Sequence, residues 1–392
     1  MANHKTTDEK TFVRGLEGVV AAETNISWVD GIHGKLYYQG YDIHDIAEKV
    51  CFEEVIFLLW SGRFPDRTEC ERLRVELATE MRLPSQVVEM IKLMPPNAHP
   101  MQVLQTTVAM LGVFDPDSSS NSAEANLRKA KRLVAQVPTI IADMHRIRKG
   151  LPLISADPKL GISDNFLYML RGAPPVEIEH TVMDLLMVLH TDHGLNASTF
   201  AGRVIASTLS DIHAALAGAI GALKGPLHGG ANQKVMEMIL QIGKVDMVQD
   251  YIAGMLENKQ KIMGFGHRVY RTEDPRARHL RKYSEMLCEL RGFKELYDIS
   301  HKVETLVRDA KGIYPNVDFY SATVQHAMGI PADFFTAVFA ASRTAGWVAH
   351  FMEQYADNRL IRPTSKYTAE LGVKFVPMDQ RNDLIGPVKK SS

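Results

Sequence analysis

The sequence has few cysteines and almost no net charge. Only Cys51, Cys70 and Cys288 occur among 392 residues, and none belongs to a CxxC pair. An odd number without paired spacing argues against a disulfide framework or a thiolate zinc site, and it fits a reducing compartment. Lysine plus arginine (45) nearly balances aspartate plus glutamate (46), so no overall field favours nucleic acid or an anionic membrane. Any anion-binding site must therefore be local.

Long apolar runs are also missing. The first residues, MANHKTTDEKTF, are polar and lack the apolar centre of a signal peptide. The longest weakly polar run, 212–223, contains His213 and is too short to span a bilayer. We therefore expect a soluble, cytoplasmic protein without membrane or nucleic-acid partners.

Strand signals are sparse after residue 40, and we find no internal repeat, low-complexity tract or heptad run. Two short β-prone runs, 26–29 and 35–38, flank Asp30-Gly31 and predict a hairpin. Hydrophobic and charged fractions of 45% and 23% are ordinary for a globular protein, and the length favours two domains. The expected fold class is mainly α-helical with a small N-terminal hairpin.

Several helices are predicted by their ends and their periodicity. Asp66 and Glu69 have the spacing of a capping box, which opens a helix ending near Pro84. Residues 123–149 have a helical pattern in which Pro138 predicts a kink or a break. The run 200–223 is rich in alanine and glycine, which permits close helix packing.

Reactive side chains concentrate between residues 225 and 318. The segments read GPLHGGANQ (225–233), IMGFGHRVYRTEDPRAR (262–278) and YPNVDFYSA (314–322). They place His228, His267, Arg276 and Asp318 beside glycines or prolines that interrupt regular structure. Two histidines, an arginine and an aspartate at such positions can perform acid–base chemistry beside a bound anion.

The candidate functional residues also have plain structural interpretations. His190 and His193 have metal-ligand spacing, but two histidines bonded at a helix packing site are favoured, and no third ligand is near in the sequence. Asp318, between Val317 and Phe319, is either a base whose pKa burial raises or a cap of the following helix. Arg343 lies among small and apolar residues, where a charge is usually paired or binds an anion.

The glycines of GFGH, 264–267, do not form a dinucleotide-binding motif. No strand precedes them and a third spaced glycine is missing. Their backbone amides could nevertheless meet a phosphate, because Lys261 and Arg271 flank the segment with positive charge.

Four motifs taken together resemble the citrate synthase family: NAST at 196–199, GPLHGGAN at 225–232, IMGFGHRVYR with DPRA, and PNVDFYSA. The resemblance runs from 14–21 to 360–363 and covers nearly the whole chain. It implies condensation of acetyl-CoA with oxaloacetate and water to citrate and CoA through an enol and citryl-CoA. It also implies that Asp318 removes the methyl proton, His228 bonds the thioester carbonyl and His267 polarises the ketone.

The resemblance also implies two binding sites. Oxaloacetate would be held by His193, Arg276, Arg343 and Arg362, with Arg362 contributed by the neighbouring subunit of a homodimer. CoA would lie along Lys261, Ile262, Met263, Gly264 and Phe265, with Arg271 near its phosphates. No metal and no cofactor beyond the substrates is implied.

The architecture implied by the resemblance is a large helical domain, 1–224 and 336–392, with a smaller helical domain, 225–335, inserted in it. The short chain favours a simple dimer over the larger, NADH-inhibited members. Two other functions stay open: a 2-methylcitrate synthase that uses propionyl-CoA, and a non-catalytic helical binding protein of the same fold. The intact trio of His228, His267 and Asp318 argues against the last.

Overall fold

The computed structural model describes residues 12–381, and the polar first residues of the chain lie outside the described residues. Two units are distinguished by their internal contacts. One is 23–361, and the other comprises 12–22 and 362–381. The unit 23–361 includes the whole of the expected smaller domain and most of the expected larger domain. The domain boundaries at 225 and 335 stay a prediction.

Helices dominate the described residues, as predicted. The sixteen α-helices, α1 to α16 in chain order, span Ile43–Ile46, Phe52–Ser61, Arg67–Glu80, Ser85–Leu93, Pro100–Phe114, Ala123–Arg148, Ile162–Arg171, Glu177–His190, Ala197–Ser207, Ile212–Leu223, Ala231–Ile242, Val248–Glu257, Ala277–Leu290, Lys294–Lys311, Val317–Ala327 and Phe335–Ala356. Four short 3₁₀ helices span Arg14–Leu16, Val245–Met247, Ala332–Phe334 and Met378–Gln380. In residues 12–381, no helix has both the length and the apolar character that a bilayer crossing demands.

The predicted hairpin is confirmed. Strands β1, Ser27–Asp30, and β2, Lys35–Tyr38, are antiparallel, with Trp28 opposite Tyr37. A short third strand, β3 (Tyr41–Asp42), pairs with β2 and has no clear sequence signal. The hairpin therefore forms a three-stranded sheet at the start of the larger unit.

Helix ends follow the capping chemistry of the sequence. Asp66 accepts a hydrogen bond from the Glu69 amide at 2.8 Å, and the Glu69 carboxylate accepts from the Asp66 amide at 3.0 Å, which is the predicted capping box. Helix α6 is 26 residues long and continues through Pro138, so of the predicted kink or break the break is wrong. Its buried side chains continue on both sides of the proline, and we attribute the continuity to this packing.

The alanine- and glycine-rich run 200–223 forms two helices. Helix α9 ends at Ser207, and Leu209 takes a positive φ of 65°. The Asp211 carboxylate then accepts hydrogen bonds from the amides of His213 and Ala214, which starts α10. The turn allows α9 and α10 to pack against each other.

Helix α16 lies in the middle of the larger unit and is buried from Phe335 to Phe351. Two glycines permit its close contacts. A Cβ on Gly202 of α9 would lie 2.3 Å from the Phe351 ring, and one on Gly346 would lie 2.2 Å from the Thr191 carbonyl oxygen. The first approach packs α9 against α16, and the second holds the segment after α8, which carries His193, against the same helix.

Candidate active site

His228 lies in the turn between α10 and α11 and is held by Ser198. Its Nε2 is 2.8 Å from the Ser198 hydroxyl and accepts from the Ser198 amide at 3.3 Å. An accepting Nε2 places the imidazole proton on Nδ1. Burial, and then the charge of Arg343, lowers the pKa of His228 to about 4. His228 is therefore a neutral hydrogen-bond donor at pH 7.

Ser198 is fixed at the beginning of α9. Its hydroxyl lies 2.7 Å from the Asn196 side-chain oxygen and accepts a hydrogen bond from Trp347 Nε1 at 3.2 Å. Asn196 is the N-cap of the same helix and also accepts from two amides. The orientation of His228 thus depends on a helix cap and on a side chain of α16.

His267 is oriented in the opposite sense. Its Nδ1 accepts from the amides of Val269 at 3.0 Å and Tyr270 at 3.2 Å, so the proton is on Nε2. Burial, and then the charge of Arg276, lowers the pKa of His267 to about 4. Both histidines of the predicted catalytic trio are therefore neutral donors.

His193 joins His267 in an aromatic cluster. Its Nε2 is 3.0 Å from the Tyr270 hydroxyl, and its ring centroid is 5.1 Å from that of His267. Burial, with Arg276 and His267 as smaller causes, lowers the pKa of His193 well below its usual value. His193 and His267 are 74 positions apart in the chain but share one surface of the site.

The metal alternative for His190 and His193 gains no support. His190 Nδ1 lies 2.8 Å from the Leu186 carbonyl oxygen within α8, and its ring packs edge-on against Phe339. Between residues 12 and 381, no group of three or more His, Cys, Asp or Glu side chains is placed to bind a metal ion. His190 is a packing residue of the helix interface.

Asp318 is the second residue of α15, and its carboxyl group is poorly satisfied. Its Oδ1 is covered and has no hydrogen-bond partner within the described chain. Burial raises the pKa of Asp318 to about 7, although the charges of Arg276 and Arg343 oppose the rise. The N-cap of α15 is Asn316, whose side chain accepts from the Asp318 amide at 3.1 Å. The capping alternative for Asp318 is wrong.

Arg276 is buried and held by a fixed acid. Its Nε and one Nη donate to the two oxygens of Asp274 at 2.9 and 2.8 Å. Asp274 also accepts from the Val317 amide at 3.1 Å, at the start of α15. The ion pair raises the pKa of Arg276 and ties its guanidinium to the helix that carries Asp318.

Arg343 is the second buried guanidinium, and it has no acid partner. Its Nε donates to the His190 carbonyl at 2.6 Å, and its charged carbon lies 4.7 Å from the centre of the Phe339 ring. No ion pair joins Arg343 to a carboxylate of residues 12–381. Burial lowers its pKa to about 10, so the group stays charged. The charge of Asp192 offsets part of this effect. A buried cation that forms no ion pair within these residues favours an anionic ligand.

A set of backbone contacts joins the segment before His267 to the segment before Asp318. The Asn316 amide donates to the Gly264 carbonyl and its side chain to the Gly266 carbonyl, both at 2.9 Å, while the Gly266 amide donates to the Tyr314 carbonyl at 3.0 Å. A Cβ on Gly264, where φ is 80°, would lie 2.7 to 2.8 Å from Val235 and Phe319 side chains. This one set of hydrogen bonds, called here the Asn316 tie, thus positions both His267 and Asp318.

The residues expected to contact CoA differ in exposure. Lys261 and Arg271 are exposed, whereas Ile262 and Phe265 are buried and Met263 is partly buried. The Arg271 amide donates to the Gly31 carbonyl at 2.8 Å, next to the hairpin turn. Arg362 is exposed and lies in the smaller contact unit, apart from the other predicted substrate ligands in sequence.

Four supporting residues carried no assigned role in the sequence: Ser198, Tyr270, Asp274 and Asn316. Asp274 had the clearest signal, since an acid two positions before Arg276 in DPRAR allows a local bidentate pair. Asn316 before a predicted helix is an ordinary capping signal. Ser198 and Tyr270 bond to residues 30 and 77 positions away, which local pattern cannot reveal.

Together these groups define a class of protein. A mainly helical fold holds two neutral imidazole donors, a carboxylate base of raised pKa and two buried guanidiniums around one site. That combination fits an acid–base enzyme that takes an anionic substrate. The family model described as citrate synthase, C-terminal domain, matches residues 15–364, and the chain belongs to the citrate synthase family.

Named relatives agree. Citrate synthase 2 of Bacillus subtilis is 49% identical over 372 residues, which cover 95% of this chain and 100% of the relative. The 2-methylcitrate synthase of Shewanella oneidensis is 40% identical, with 94% and 97% covered. The solved ternary complex of citrate synthase from Thermoplasma acidophilum with carboxymethyl coenzyme A and oxaloacetate has a TM-score of 0.90 at 32% identity, and the match covers 95% of this chain and 100% of that chain.

Proposed function

We propose that this protein condenses acetyl-CoA with oxaloacetate and water to give citrate and CoA, as an acyltransferase of the citrate synthase type. The observation that carries the proposal is Asp318, a covered carboxylate with no partner for Oδ1 and a pKa raised to about 7. Such a group is basic enough to accept a proton at neutral pH. Membership of the family supplies the reaction that uses it.

The first step is enolisation of the thioester. Asp318 takes a proton from the methyl carbon of acetyl-CoA, and the electron pair moves onto the thioester oxygen. His228 donates its Nδ1 hydrogen to that oxygen, because Nε2 is occupied by Ser198. A neutral donor fixed in advance stabilises the enolate without first losing its own proton to solvent.

The second step forms the carbon–carbon bond. The enol attacks the ketone carbon of oxaloacetate, and His267 donates its Nε2 hydrogen to the ketone oxygen. His193, Arg276 and Arg343 hold the two carboxylates, with Arg362 supplied by the partner subunit of a homodimer. Paired hydrogen bonds from planar guanidiniums fix the orientation of the ketone. Water then hydrolyses citryl-CoA, and CoA leaves.

CoA is assigned to the segment from Lys261 to Phe265, with Arg271 near its phosphates. The exposed ammonium of Lys261 and guanidinium of Arg271 support this placement, because they supply positive charge for the phosphates. The reaction as written uses no metal and no cofactor besides the two substrates. Three cysteines without disulfides fit a cytoplasmic setting.

Release of free CoA by the purified protein with oxaloacetate tests the reaction and its acyl specificity. We expect a higher kcat/KM with acetyl-CoA than with propionyl-CoA. The reverse preference would make the protein a 2-methylcitrate synthase, because one methylene changes pocket binding only modestly and both names occur among the relatives.

The variant Asp318→Asn separates catalysis from binding. It should lose turnover by at least about 10²-fold, since the base is removed, while oxaloacetate affinity measured by calorimetry stays within about threefold. Asp309→Asn, at an exposed position of α14, is the matched control and should keep full activity. Absence of CoA release by the unaltered protein with either thioester would refute the enzyme and favour a binding protein of the same fold.

A further inference from the structure

A polar cavity lies away from the groups assigned to catalysis. It has a volume of about 1040 Å³ and is bounded by the end of α3, by α4, by the C-terminal end of α5, by α6 and by residues 153–156. Four residues of α6 line it at helical spacing: Arg132, Gln136, Thr139 and Asp143. Intervals of four, three and four place them on one face of the helix.

Asp143 is the unusual member of this face. It is only 5% exposed and makes no hydrogen bond or ion pair with any residue of 12–381. The nearby Arg146 is not its partner, because that guanidinium donates to the carbonyls of Pro152, Met169 and Leu170. Burial raises the pKa of Asp143 to about 7. A largely buried carboxyl that opens onto a cavity and has no protein partner among these residues is available to a ligand that donates to it.

The other polar groups of this face offer acceptors. The Gln136 amide donates to the Arg82 carbonyl at 3.3 Å, which leaves its side-chain oxygen available. The Thr139 hydroxyl donates to the Ala135 carbonyl at 3.3 Å and keeps its lone pairs. Arg132 is already paired with Asp115 and Asp117. The α6 face of Gln136, Thr139 and Asp143 is therefore complemented by a ligand that supplies hydrogen-bond donors.

The charge and the walls of the cavity narrow the choice further. The lining contains four acids and two arginines: Glu80, Glu89, Asp115, Asp143, Arg82 and Arg132. Apolar side chains complete it, including Leu111, Phe114, Leu153, Ile154 and Met169. Glu89 and Asp115 are already paired, with Lys92 and Arg132 respectively. The remaining acids, Glu80 and Asp143, outnumber the remaining arginine, Arg82, and this favours a cation. The apolar walls favour a carbon skeleton over a hydrated metal ion.

We propose that this cavity binds a primary amine with an aromatic or branched apolar body, the ammonium group resting on Asp143 and the Gln136 and Thr139 oxygens. The site is independent of the proposed condensation, since none of its residues is assigned to substrate. It would give the protein a ligand that is neither a dicarboxylate nor a CoA thioester.

Titration calorimetry of the full chain with phenethylamine at pH 8 tests the site, because Asp143 is then ionised and the amine is protonated. We expect saturable binding of one molecule per chain with a Kd below about 1 mM. The neutral analogue 2-phenylethanol should bind at least about tenfold more weakly. Failure of phenethylamine to bind, or equal affinity for the alcohol, would overturn the proposal.

Two variants locate the binding. Asp143→Asn should weaken phenethylamine at least about tenfold, and Ala156→Trp should block it by filling the cavity wall without altering charge. Asp309→Asn removes an exposed carboxylate elsewhere and should leave affinity unchanged. Circular dichroism and CoA release verify that each variant is folded. Unchanged affinity in both folded cavity variants would show that the amine binds elsewhere and would refute the assignment.

Discussion

At Asp318 the proposed role as a base opposes folding stability. Its pKa is raised from 3.8 to about 7, so between these values the folded protein binds more protons than the unfolded chain. Folding stability contributed by this group is therefore greatest below pH 4 and is lost as the pH rises towards 7. The shift corresponds to at most about 4 kcal/mol. The raised pKa that a useful base needs therefore lowers the folding stability of the protein at neutral pH.

Asp318→Asn should therefore be more stable than the unaltered protein at pH 8, on the order of 1 to 4 kcal/mol, and nearly equal to it at pH 4. The neutral amide has no ionisation to suppress. Chemical denaturation at both pH values measures the difference. An advantage of equal size at pH 4 and pH 8 would contradict the electrostatic origin of the effect.

The pH dependence of turnover should report the same group. We expect kcat/KM to fall about tenfold per pH unit below about 7, because only ionised Asp318 accepts the proton. His228 and His267, with pKa values near 4, should add no further ionisation above pH 5. Assay after return to pH 7.5 controls for acid inactivation. A rate that stays constant from pH 5.5 to 7.5 would exclude Asp318 as the titrating base.

Arg343 should contribute binding more than chemistry. Arg343→Gln removes a buried cation that has no acid partner, and oxaloacetate affinity should fall roughly 10- to 150-fold, the range for hydrogen bonds to charged groups. Calorimetry with oxaloacetate alone measures this loss. Arg308→Gln is the control, because Arg308 is exposed and lies 3.9 Å from Asp309. Equal affinities of Arg343→Gln and the unaltered protein would remove Arg343 from the site.

Residue types in the site were predictable, whereas their protonation states were not. Histidines beside glycines and a lone arginine in an apolar run mark His228, His267 and Arg343 in the sequence. The proton positions depend on contacts with Ser198 and with the amides of Val269 and Tyr270. The first of these joins distant parts of the chain, so periodicity and spacing carry no information about it.

At the scale of elements, the loop 262–267 has two glycines in left-handed conformations with different surroundings. A methyl group on Gly264 would lie within 2.8 Å of Val235 and Phe319, whereas one on Gly266 would have no neighbour within 4 Å. Both substitutions strain the backbone by about 1–2 kcal/mol, and only the first adds a steric conflict.

Gly264→Ala should consequently lower kcat by more than about 10²-fold, because the loop must move and His267 moves with it. Gly266→Ala is the matched control and should lose less than about tenfold. Steady-state kinetics with both substrates saturating measure the two effects. A loss in Gly266→Ala as large as that in Gly264→Ala would mean that backbone strain, not contact, governs the loop.

Helix α3 was well predicted, because its start carries the capping pair Asp66 and Glu69. The errors have physical causes. Pro138 did not break α6, because buried contacts on both sides of it compensate for one lost hydrogen bond. The run 200–223 has one composition but contains the cap Asp211, which starts a new helix.

At the scale of the whole molecule, the proposed homodimer can be tested by mixing subunits of two inactive variants. Arg362→Ala and Asp318→Asn should each be inactive alone, because each lacks one group of every site. If Arg362 completes the partner's site, a heterodimer has one intact site, and random mixing should restore roughly a quarter of the original activity. Denaturing and refolding the two variants together, followed by a CoA-release assay, measures this. Activity no greater than that of the separate variants would place Arg362 in its own subunit's site.

The hydrogen bonds from Asn316 to the carbonyls of Gly264 and Gly266 have a consequence for transplantation between relatives. His267 and Asp318 belong to segments separated by some fifty positions, yet neither segment has a complete set of backbone partners without the other. A chimera that imports one segment alone would break the tie, whereas one that imports 262–267 and 314–318 together would keep it. The unit that must be transferred to keep this proposed site is therefore a pair of segments, 262–267 and 314–318, and not a continuous stretch of sequence.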